Sequence, residues 1–128
     1  MRADGGHISR NPSFQLTLAL RLQIIISAYE QRDTEPPNFL HHAVGRTTDM
    51  VEFFRCGDGR LAVFNGSEED DPRAVTAALS YDGGNRSRID FASQSGYQRL
   101  SGARTFVYVD TGSRGRQIHT RPTLAGRP

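Results

Sequence analysis

His7 follows two glycines and precedes a helix start in Asp4-Gly5-Gly6-His7-Ile8-Ser9-Arg10-Asn11-Pro12, a place where an imidazole can face a ligand. Local capping or packing is the competing reading. Tyr97, in Ser95-Gly96-Tyr97-Gln98-Arg99, sets a phenol near a guanidinium, and Arg99 or Arg104 could hold a carboxylate through a planar fork of donors. Strand aromatics are more often core, and strand arginines more often cross-strand surface charges. His7, Tyr97 and Arg99 are the candidate substrate-binding residues; no catalytic set is complete.

Other reactive side chains carry less. His41 and His42 are adjacent, so on a helix they point to different faces and cannot chelate one ion as an i, i+4 pair would. Cys56 is the single cysteine, which excludes an internal disulfide and a multi-cysteine zinc site, and no histidine lies nearby in sequence to activate it. The run Glu68-Glu69-Asp70-Asp71 lacks the spaced ligands of a calcium loop and reads as a helix start. Neither a metal nor a cofactor is expected.

The elements that must position these residues are legible from caps and periodicity. Asn11-Pro12 is a helix-start pair, an N-cap followed by a proline whose missing N–H costs nothing there. A helix is predicted over about 13–31, with Phe14, Leu18, Leu22, Ile25 and Tyr29 on one stripe and Leu16, Leu20 and Ile24 widening it well beyond a single face. Pro36-Pro37 closes a polar loop and restarts a second helix over about 38–55, whose inner face holds Leu40, Ala43, Val44, Thr47, Met50, Val51 and Phe54. The two form an antiparallel pair. Gly57-Asp58-Gly59 turns the chain into the short apolar run Leu61 to Phe64, which Asn65-Gly66 ends. A third helix is expected over about 72–80, with Val75, Ala78 and Leu79 inward. Beyond a glycine-rich loop the period changes to two, and 95–100 with 104–110 reads as a β-hairpin across Ser101-Gly102.

Composition limits the function classes. The 128 residues include 13 Gly and 6 Pro with only 36% hydrophobic residues, thin material for a core. All 16 basic residues are Arg, and residues 1–112 hold 14 acids against 12 of them, so the excess positive charge lies in the tail. A nucleic-acid face is not indicated. No apolar run is long enough to span a membrane, and no signal for secretion is seen in the first residues.

Three blocks in order, the Asp4 to Pro12 segment, Phe53-Phe54-Arg55 with Gly57 to Gly66, and Ser95 to Leu100 with its following strand, resemble the heparinase II/III-like proteins, relatives of polysaccharide lyases. The resemblance implies an α+β fold that is an excerpt of a larger protein. Residues 1–82 would be the last helices of an α/α toroid and 93–112 the first strands of an antiparallel β-sandwich. The segment 113–128, rich in Arg, Gly, Thr and Pro without periodicity, departs from the relatives and is expected to be a disordered tail. The resemblance also implies a parent that cleaves uronate-containing polysaccharide by β-elimination, with acidic polysaccharide as partner and this chain inactive alone. Phe14 falls where the active lyases carry the proton-transferring tyrosine, which opens the alternative of a non-catalytic carbohydrate-binding or scaffold protein.

Overall fold

The computed structural model of the chain describes residues 1–81, 83–84, 86 and 89–112. The tail expected over 113–128 lies outside them, as does part of the glycine-rich loop. The architecture is α+β: α1 (Pro12–Glu30), α2 (Asn38–Phe54), α3 (Pro72–Leu79), then β1 (Phe91–Ala92), β2 (Tyr97–Ser101) and β3 (Phe106–Asp110). The three strands form one antiparallel sheet in the order β1-β2-β3. Neither a ring of helices nor a second sheet is among the described residues.

The caps work as their chemistry dictates. Asn11 Oδ1 accepts from the N–H groups of Ser13 and Phe14, with Pro12 opening α1, and Asp71 accepts from the Arg73 N–H ahead of α3. The buried stripe of α1 is not the predicted one. Gln15, Leu16, Ala19, Gln23 and Ile26 face inward, whereas Phe14 is 54% exposed and Ile25 45%. The amides explain the rotation. Gln15 Nε2 donates to the carbonyls of Gly5 and Thr47, and Gln23 Nε2 to those of Ala78 and to the Thr48 hydroxyl. With these partners, burying two glutamines leaves no orphan polar atoms, so apolar residues fall on the solvent side.

Gln15 meets Thr47 while Ile26 packs with Leu40 and Val44, so α1 and α2 run antiparallel. After α2 the chain turns through Gly59, at φ +82°, and Arg55 makes an isolated antiparallel bridge with Leu61 at the start of the short apolar run. Asn65 and Gly66, both at positive φ, make the next turn.

The hairpin is where the sequence puts it, and the chain adds a short strand to it. Phe91 and Ala92 add a third strand through pairs with Gln98 and Tyr97. Tyr97 pairs with Asp110 and Arg99 with Tyr108, so all four lie on one face, and that face packs on the end of α2. Phe53, Phe54, Phe64, Tyr97 and Tyr108 stack there with ring centroids 5.4 to 6.3 Å apart. Helices and sheet share one core cluster.

Candidate functional site

The residues singled out from the sequence lie on two elements: an N-terminal strap, residues 2–10, and the inner face of β2. The strap runs without helix or strand between the helix pair and the sheet, and glycine lets it do so. A Cβ on Gly5 would lie 2.1 Å from the Arg46 carbonyl oxygen, and one on Gly6 would lie 2.1 Å from Ser95 Oγ. Gln15 brackets the passing backbone, accepting from the His7 N–H at 2.7 Å and donating to the Gly5 carbonyl at 2.9 Å.

His7 is half-buried on this strap. Its Nδ1 lies 2.6 Å from Ser9 Oγ and accepts from the Ser9 N–H at 3.1 Å, and its ring centroid is 5.9 Å from that of Phe14. Burial, and then the positive N-terminus, hold its pKa below the ordinary 6.5. Both effects favour the neutral ring, whose Nδ1 accepts from Ser9.

Tyr97 is buried at the far side of the strap. Its hydroxyl donates to the Arg10 carbonyl at 3.3 Å, and the Arg10 guanidinium covers its ring at 4.3 Å. Desolvation raises the phenol pKa to about 12 against the opposing charge of Arg10. Arg10 itself, at φ +59°, reaches past the ring to the Ser95 carbonyl and the Asp110 carboxylate.

Arg99 has no exposed side-chain surface. Its Nη1 donates to the Phe53 carbonyl at 3.0 Å, and Nη2 to the Ile89 carbonyl at 3.0 Å and Asp90 Oδ1 at 2.8 Å. Tyr108, directly across the ladder, donates to the same Phe53 carbonyl at 3.0 Å. The two side chains therefore cap the C-terminus of α2 from the sheet, a favourable place for a cation. Tyr97 and Arg99 share a face of β2; His7 belongs to the strap and bonds to neither.

Asp4, Arg10, Ser95, Gln15 and Asp110 complete this junction and were not singled out from the sequence. Nothing local in the sequence marks Arg10 as 4% exposed or Gln15 as buried. Elsewhere, burial pushes the Cys56 thiol up, away from reactivity. A surface hollow of about 260 Å³ is lined by Glu52, Arg55, Thr76 and Ser80, but Arg55 is already held by both carboxylate oxygens of Glu52 at 2.8 and 2.7 Å. Among the described residues no group of three or more His, Cys, Asp or Glu could hold a metal ion, and no helix is long and apolar enough to cross a membrane. The junction holds elements together through polar groups already bonded within the chain.

No family model and no solved structure matches this chain. Among curated proteins it is similar to FtsZ-localized protein C of Caulobacter vibrioides (strain NA1000 / CB15N), 35% identical over 109 residues, which make up 85% of this chain and 19% of that protein. The chain spans about a fifth of the length of the relative it matches. This finding overturns the resemblance to heparinase II/III-like proteins. With it go the β-eliminating lyase parent, the carbohydrate-binding alternative and the acidic polysaccharide partner. The physical reason lies in the blocks themselves. Their glycines serve close approach and positive φ, Phe53 and Phe54 fill the core, and Tyr97 and Arg99 join sheet to helix, so packing alone accounts for the shared residue types.

Proposed function

We propose that this chain belongs to a protein of the bacterial division machinery that takes its place together with FtsZ, and that it contributes a structural module there. The observation that carries this reading is the 35% identity over 109 residues to a protein named for its localization with FtsZ. The junction supports a structural role, since the buried polar groups of Arg10, Ser95 and Arg99 and the half-buried carboxylate of Asp4 bond to other parts of the same chain.

Larger α and β layers in the parent, a helical toroid and a sandwich, would cover surfaces that are now exposed. Phe91, Leu100 and Val107 stand on the outer face of the sheet at 63%, 51% and 46% exposure, and Ile24 on α1 at 67%. His7 is our candidate for contact with a partner, because it is the one sequence-selected site residue at the surface, with exposed Ile8 and Phe14 nearby. Tyr97 and Arg99 support the strap and α2 from behind.

A fluorescent fusion of the chain, imaged in dividing cells with labelled FtsZ, tests the reading. A band coincident with FtsZ is expected; a diffuse signal in cells with normal FtsZ rings overturns it.

A further inference from the structure

Ser95 lies in the turn between β1 and β2, is 2% exposed, and has every polar group taken by the strap. Its N–H donates to Asp4 Oδ2 at 2.7 Å and its hydroxyl to Asp4 Oδ1 at 2.9 Å, while its carbonyl accepts from Arg10 Nη1. Gly6 presses on the same side chain from the strap. Apolar burial adds little to the strap, since Met1 and Ile8 are 48% and 39% exposed.

We infer that residues 2–10 are a clasp that opens and closes as one unit, with Ser95 as its catch, while helices and sheet stay joined. Cooperativity follows from the shared catch. Releasing Asp4 alone strands a buried N–H and hydroxyl, and releasing Arg10 alone strands a buried carbonyl and a cation, so half-open states are costlier than the fully open one. Independence follows from the second joint, because Arg99, Tyr108 and the aromatic cluster hold the sheet on α2 without using any strap residue. Opening uncovers the Gln15 amide and the floor formed by Ser95 and the Tyr97 ring.

Native-state hydrogen exchange on the whole chain tests this, reading the His7 amide, held by Gln15, and the Ser95 amide, held by Asp4. Both should exchange through one common opening, at least about 100-fold more often than the amides of Val51 and Phe53 in α2. In Asp4→Asn and Ser95→Ala the two clasp amides should quicken together by roughly 5- to 10-fold, with α2 unchanged. Protection of the clasp equal to that of α2 in the unaltered chain overturns the inference, as do variants that quicken His7 and Ser95 by different factors. If a variant does not fold, the unaltered chain alone decides.

Discussion

At the scale of single residues, two glycines give opposite expectations for the same substitution. Gly5→Ala puts a Cβ 2.1 Å from a backbone oxygen at φ +91° and should cost more than about 2 kcal/mol, seen as a lowered urea midpoint. Gly45, inside α2 with open space around it, should gain about 0.5 to 1 kcal/mol as Ala in the same titration. His7 gives a pH dependence with a fixed sign. Its folded pKa is depressed, so its contribution to stability is present above the ordinary 6.5 and is lost as pH falls from there towards the folded value, where the unfolded chain binds the proton first. Denaturation midpoints should fall across that interval in the unaltered chain and change less in His7→Gln. The histidine and the glycines around it were visible in the sequence as a motif. Their partners were not, because Ser95 and Arg46 are remote in the chain and no local pattern encodes them.

At the scale of elements, three helices and a hairpin could be read almost to the residue, because caps and prolines are local chemistry. The inner face of α1 could not. Periodicity sorts residues by polarity, and Gln15 and Gln23 are polar yet buried, satisfied by carbonyls of α2, α3 and the strap. β1 was missed because two residues carry no period. The joint between sheet and α2 predicts that Arg99→Leu leaves the Phe53 and Ile89 carbonyls without that donor and costs about 2 to 4 kcal/mol in chemical denaturation. Tyr108→Phe, which removes one hydroxyl from the same carbonyl, should cost about 1 kcal/mol.

At the scale of the whole molecule, the aromatic cluster ties phenol ionisation to folding. Tyr97 holds its proton to about pH 12 in the fold but to about 10.0 when exposed, so the stability it lends is full below 10.0 and is lost as pH climbs from there to 12. Tyr108 acts in the same direction. An ultraviolet phenolate titration should show Tyr97 and Tyr108 ionising late in the unaltered chain, and the late step should shrink in Tyr97→Phe, leaving the contribution of Tyr108. The functional reading depends on this scale too, since the match to an FtsZ-localized protein extends over 109 residues and no single side chain carries it.

The strap's bonds are also among the longest in sequence. Asp4 reaches Ser95 across 91 positions and Arg10 reaches Asp110 across 100. On the ribosome, residues 2–10 emerge ahead of α1, α2 and the sheet yet have no catch until almost the whole described chain has followed. A segment made before its partners is therefore fixed after them, and nascent chains halted before Asp110 should display it to proteases while α1 and α2 are already paired.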